Sequence, residues 1–128
     1  MSTDPRAKVP DASHPITITP TVGRVRVYAG DVLVADTTSA LTLAEAAYAP
    51  AQYVPLADVD PAVLTASATS TYCPFKGEAS YYSIPAGGEG AVNAAWTYED
   101  AYPAVAEIEG HLAFYPDRVD SIGEAAHA

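Results

Sequence analysis

A chain of 128 residues and 13.3 kDa is the length of one domain rather than two. It carries 6 Lys and Arg against 16 Asp and Glu, a net charge of −10, so sustained contact with nucleic-acid phosphate or an anionic bilayer surface, which needs a basic patch, is not expected. No apolar run approaches the ~20 residues of a membrane span, the N-terminus lacks a signal-peptide pattern, and a single Cys excludes an internal disulfide framework and Cys-only zinc sites. Hydrophobic residues make up 49% of the chain, but 26 of them are Ala, leaving 37 larger apolar or Cys side chains for a small but sufficient core.

Residues 1–15 hold three prolines and almost no large apolar side chains, and are expected to form a flexible arm. Arg24-Val25-Arg26-Val27-Tyr28 alternates with the period of a half-buried strand, Gly30 supplies a turn, and Val32-Leu33-Val34-Ala35 returns, which predicts a β-hairpin. Strands are also predicted at Ala40 to Ala44, Ala79 to Ile84, Ala94 to Tyr98 and Gly110 to Tyr115. Tyr53-Val54-Pro55 reads as a short edge segment, because Pro cannot donate to a ladder. Asp60 before Pro61 is the signature of a capped helical turn. Ala104 to Glu109 is either a brief helix or a loop, and the tail 120–128 is expected to be flexible. The sum is an all-β, mainly antiparallel domain over 16–119 with one or two short helical turns.

Three groups of residues could carry chemistry. Lys76 is the only Lys or Arg between Val27 and Asp117, and it lies three residues from Cys73, the only thiol. A nearby ammonium lowers a thiol's pKa and can anchor a carboxylate or phosphate; the plainer reading is a small buried Cys and a solvated turn Lys. Glu45 ends an apolar segment, where it is a partner for Lys76, a base if desolvated, or simply exposed. Tyr72, Tyr81, Tyr82, Trp96, Tyr98 and Tyr102 are concentrated in one region, and aromatics with a polar tip line pockets as well as fill cores. Tyr81 and Tyr82 are adjacent on one strand, so at most one of them enters a given pocket. Asp58 and Asp60 have the spacing of a metal-holding pair, but a cap explains Asp60 without metal. Two of the three His lie in or beside the arm and tail, and no phosphate-binding glycine loop or nucleophile elbow occurs.

The run Thr71-Tyr72-Cys73-Pro74-Phe75-Lys76-Gly77-Glu78-Ala79-Ser80-Tyr81-Tyr82-Ser83 resembles the domain-of-unknown-function 427 family, catalogued as nucleotidyltransferase-like. Gly30 to Thr37, Leu41 to Glu45, Tyr53-Val54-Pro55 and Ala95-Trp96-Thr97-Tyr98 extend the match over about residues 24–119. The resemblance implies a β-tent fold, two small antiparallel sheets splayed from a shared ridge with a cleft between them. Zinc-binding relatives of that fold use two Cys-x-x-Cys pairs; with one Cys, this chain does not carry that role, and no cofactor is expected.

The resulting expectation is a cytoplasmic domain, monomeric or a small homo-oligomer, that binds a small anionic or polar metabolite, with a reaction on that metabolite left open. Its cleft is lined by Glu45, Cys73, Lys76, Tyr82 and Trp96, with Lys76, Cys73 and Glu45 as candidate catalytic groups and Tyr53, Tyr81, Tyr82 and Trp96 as ligand-binding groups. The alternatives are a noncatalytic protein-interaction module and nucleotidyl transfer with a metal at Asp58 and Asp60.

Overall fold

The computed structural model describes residues 7–125, which form two antiparallel β-sheets joined by short 3₁₀ turns. The strands are β1 Ile16–Pro20, β2 Arg24–Ala29, β3 Val32–Thr37, β4 Leu41–Glu45, β5 Ala51–Pro55, β6 Thr65–Cys73, β7 Gly77–Ser83, β8 Ala95–Thr97, β9 His111–Phe114 and β10 Ser121–Ala125. Seven of them form one sheet in the order β1-β4-β5-β9-β8-β7-β6, and the other three form a second in the order β10-β2-β3. The all-β, antiparallel reading therefore holds, with sheets of unequal size. Among the described residues no helix is long and apolar enough to cross a membrane.

The predicted hairpin is β2–β3. Val25, Val27 and Ala29 are buried while the alternating Arg24, Arg26 and Tyr28 are not, as period-2 patterning requires. Its two-residue loop, Gly30-Asp31, has positive φ at both positions (57° and 63°), the geometry that matches the twist of paired strands. Gly30 is further confined by the neighbouring 3₁₀ segment Pro85–Ala91: a Cβ at this position would lie 1.8 Å from the Ala86 carbonyl oxygen.

Period-2 alternation also divides the large sheet into two faces. One packs Val54, Leu112 and Phe114 against Val27, Val34 and Ala35 of the small sheet. The other carries Leu43, Tyr53, Ala79, Tyr81 and Ala113, part of which is covered by Val105 and Ile108 from the 3₁₀ segment Pro103–Ile108. This segment settles the helix-or-loop alternative at 104–109 in favour of short 3₁₀ turns. Asp60 caps the 3₁₀ turn Pro61–Val63 by accepting a hydrogen bond from the Ala62 N–H at 3.0 Å, as its position before Pro61 predicts.

Three expectations are corrected. β5 is not an edge but lies between β4 and β9; β4 begins at Leu41, opposite Tyr53, so Pro55 faces no β4 partner and its missing N–H costs no ladder bond. The tail from Asp120 is not free chain: Ser121–Ala125 pairs along β2, and Ile122 packs against the inter-sheet core. The arm is also engaged. The Lys8 N–H donates to the Pro74 carbonyl, the Ala46 N–H donates to the Pro15 carbonyl, and His14 stacks on Phe75 with ring centroids 4.0 Å apart. Backbone bonds and one imidazole hold a segment whose composition contains too little apolar surface to show it. The expected flexibility of residues 1–6 and 126–128 lies outside the described residues.

Gly30→Ala is expected to lose more than about 2 kcal/mol in urea unfolding, through overpacking against Ala86 and a positive φ. Gly90→Ala, where a Cβ meets nothing within 4 Å, is expected to stay within about 0.5 kcal/mol of the parent.

Candidate functional site

The site is built on the inner face of the large sheet. Register places Leu41, Tyr53, Ala113, Trp96 and Tyr81 side by side across β4, β5, β9, β8 and β7, so one cross-strand row carries three large aromatics. The Trp96 indole N–H donates to the Tyr53 hydroxyl at 3.1 Å, and the Tyr81 hydroxyl bonds Thr71 Oγ1 at 3.0 Å and the Tyr115 hydroxyl at 3.2 Å. Trp96 also packs on Tyr115, with centroids 4.4 Å apart. These contacts lock ring orientations that packing alone would leave adjustable.

Glu45 and Lys76 close this face. Glu45 ends β4, and Lys76 sits in the turn before β7, held there by its N–H to the Cys73 carbonyl and by the Tyr102 N–H to its own carbonyl. Between β4 and β7 lie β5, β9 and β8, so a flat sheet would separate the two strands by about 19 Å at the usual inter-strand spacing. Lys76 nevertheless donates directly to Glu45 Oε1. The sheet is curled, and the ion pair bridges its rim. His14 adds a third member, with Nε2 2.8 Å from Glu45 Oε2.

The curl encloses a cleft of about 810 Å³. Glu45, Cys73, Lys76, Tyr53, Tyr81 and Trp96 all line it, joined by Tyr98 and Tyr115. Tyr82 does not: it pairs with Ala95 on the opposite face and packs against the inter-sheet core, which corrects its place in the expected cleft. Strand alternation allowed one of Tyr81 and Tyr82 and the curl selected Tyr81. Tyr72 and Tyr102 bond each other through their hydroxyls at 2.7 Å and do not line the cleft. Asp58 accepts from the Thr37 hydroxyl at 2.7 Å and Asp60 caps its own turn; neither lines the cleft.

The electrostatics follow from burial. Lys76 is only 8% exposed, so it is not the solvated turn residue of the plainer reading, and its ammonium is committed to Glu45 rather than free for an anion. Burial alone would raise the Glu45 carboxyl, but hydrogen bonds from Lys76 and His14 and the charge beside it outweigh that and hold it below its ordinary value. Burial pushes the Tyr53 and Tyr98 hydroxyls well above the usual phenol range, and burial followed by the Tyr81 hydrogen bond pushes Tyr115 up to about 12. All three remain neutral hydroxyls at neutral pH. Tyr98 is 6% exposed, and its hydroxyl has no hydrogen-bond partner among the described residues.

Sequence reasoning missed two contributors. Tyr115 closes the strand predicted at Gly110 to Tyr115 and follows the observed β9, and its aromatic neighbours Tyr81 and Trp96 belong to other strands. His14 lies 31 residues from Glu45, and nothing local distinguishes it from a solvated arm residue.

An all-β domain whose larger sheet curls around an aromatic cleft closed by an ion pair defines the class of this protein. The chain belongs to the family described as Domain of unknown function (DUF427), also labelled NTP_transf_9, whose model matches residues 17–125. His14 lies outside the matched segment. A comparison with curated proteins found no match.

Because the folded-state pKa of Glu45 is depressed, its stabilising contribution is present above the unfolded carboxylate range and is lost as pH falls through the folded value. Urea unfolding of the parent chain is expected to weaken between about pH 6 and about pH 3 more than that of Glu45→Gln. At about pH 6, Glu45→Gln, which leaves a buried ammonium unpaired, is expected to cost about 3 kcal/mol.

Proposed function

We propose that this domain binds a small polar metabolite in the cleft of the curled sheet. The observation that carries this reading is a concentration of residues: five of the nine Tyr and the single Trp line a cleft of about 810 Å³ beside a buried ion pair. That volume falls within the few hundred to about 1,000 Å³ typical of small-molecule sites, where apolar walls supply contact and a few polar groups fix orientation. The Tyr98 side chain is buried while its hydroxyl is not, and that hydroxyl is a polar group placed to meet a ligand in the cleft.

The roles follow from position. Trp96, Tyr53 and Tyr81 form the wall against which a ligand packs, held by the hydrogen bonds among them and their neighbours. Glu45 and Lys76 present an acceptor and a donor side by side at the rim, and Cys73 lines the same wall. With Lys76 already neutralised by Glu45, a polar ligand fits this arrangement better than a simple anion does. Nucleotidyl transfer finds less support, because Asp58 and Asp60 are engaged away from the cleft. Whether chemistry follows binding turns on Cys73, Lys76 and Glu45, which share the one wall.

The single Trp makes the test direct. Its one indole N–H signal in a nitrogen–proton correlation spectrum of the labelled full chain reports on the cleft wall. In a screen of polar metabolites spanning cationic, neutral and anionic compounds, at least one is expected to shift that signal saturably and raise the melting temperature, with the shift lost in Tyr81→Leu. A folded protein whose indole signal responds to no compound of any charge class would overturn the reading.

A further inference from the structure

We infer that the ligand of this cleft is an organic cation, an alkylated ammonium held among the aromatic rings with Glu45 as its counter-ion. The inference rests on the cleft-binding reading above and adds to it the charge class of the ligand. Three observations converge on it.

The first is the character of the wall. Trp and Tyr rings have negative faces that attract ammonium groups, most strongly where water is excluded, and Tyr53, Tyr81, Trp96, Tyr98 and Tyr115 all line this cleft. Burial keeps the Tyr53, Tyr98 and Tyr115 hydroxyls protonated, so they contribute ring faces and neutral dipoles rather than phenolate charge.

The second is that the cleft already shelters a cation. The Lys76 ammonium lies 6.0 Å from the centroid of the Tyr98 ring, and the residue is 8% exposed. Glu45 together with the Tyr98 ring faces this buried ammonium and replaces the hydration it has lost.

The third is charge balance. Among the described residues lining the cleft, only Glu45 and Lys76 are charged and they cancel, whereas the chain as a whole carries −10. That field draws small cations toward the molecule and opposes anions. An anion would also have to pull Lys76 from Glu45 and leave a carboxylate buried without its partner, at a cost that a cation avoids. Each Glu45 oxygen accepts one bond, from Lys76 at Oε1 and from His14 at Oε2, so each retains a lone pair for a further donor or positive group.

The test uses three probes of nearly one shape: choline, its uncharged analogue 3,3-dimethylbutan-1-ol, and the anion 3,3-dimethylbutanoate, titrated into the full chain while the Trp96 indole signal is followed. Choline is expected to bind at least about tenfold more tightly than the alcohol, and the carboxylate most weakly. Lys76→Met sharpens the sign. By releasing Glu45 from its internal partner it is expected to raise choline affinity severalfold, whereas a site built around Lys76 for an anion would lose affinity. Glu45→Gln is expected to lower choline affinity. Equal or tighter binding of the alcohol or the carboxylate, or no response to choline, overturns the assignment of charge class. A neutral or anionic compound that still shifts the indole signal would leave the cleft-binding reading standing without this one. If Lys76→Met does not fold, the ranking of the three probes on the parent chain decides the matter.

Discussion

The bond between Glu45 and Lys76 is the contact on which the shape of this molecule depends. It joins the end of β4 to the turn before β7, across three intervening strands. Twist bends a sheet of this width, and a buried ion pair at the rim ties the ends of the bend together beside a half-open cleft. The pair is itself secured from both sides. β1 pairs Ile16 with Glu45, while the β6–β7 turn is tied by Lys76 to Cys73 and by Tyr102 to Lys76. His14 and Phe75 then cover it, stacking one ring on the other where the arm crosses the turn. Buried ion pairs contribute little net stability compared with apolar packing, and what this one supplies is geometry.

Within that frame the aromatic row follows from register. Tyr53, Ala113, Trp96 and Tyr81 are cross-strand neighbours in successive pairings, so Ala113 leaves a gap in the row between two large rings. Trp96 and Tyr53 meet across that gap, edge to face, and bond through the indole N–H. A larger residue at 113 would fill the space in which these rings meet. The opposite face of the same strands carries Val54, Leu112 and Phe114 into the inter-sheet core. One sheet thus serves two purposes: one face holds the fold together and the other forms the cleft.

Much of the fold was legible in the chain itself. Arg24 to Val27 alternates strictly and became a strand with its valines buried; Gly30-Asp31 became the turn; Asp60-Pro61 became a capped 3₁₀ turn. The edges were less legible. Thr65 to Ser70 is made of Thr, Ala and Ser, has no apolar alternation, and still forms an edge strand, because β7 offers a ladder whose backbone bonds do not depend on side-chain type. The same reason accounts for Ser121–Ala125 along β2. Pro55 suggested an edge, but it only lies beyond the point where β4 begins.

The residue types of the site were determined by the sequence alone: the one Lys or Arg between Arg26 and Arg118 three residues from a lone Cys, a carboxylate ending an apolar strand, and a surplus of Tyr around one Trp. Alternation along β7 further required Tyr81 and Tyr82 to face opposite ways. Local patterns extend over a few residues, and they carry no information about which strands lie next to each other or how far a sheet curls. Tertiary structure decided those matters. The strand order and the curl brought Glu45 to Lys76 across 31 positions of sequence, turned Tyr81 into the cleft and Tyr82 toward the inter-sheet core, added Tyr115 and Tyr98 to the wall, and drew His14 onto the rim. A side chain's chemistry belongs to the residue, but its partner is chosen by long-range pairing, as Glu45 with Lys76, Trp96 with Tyr53 and Tyr81 with Tyr115 show.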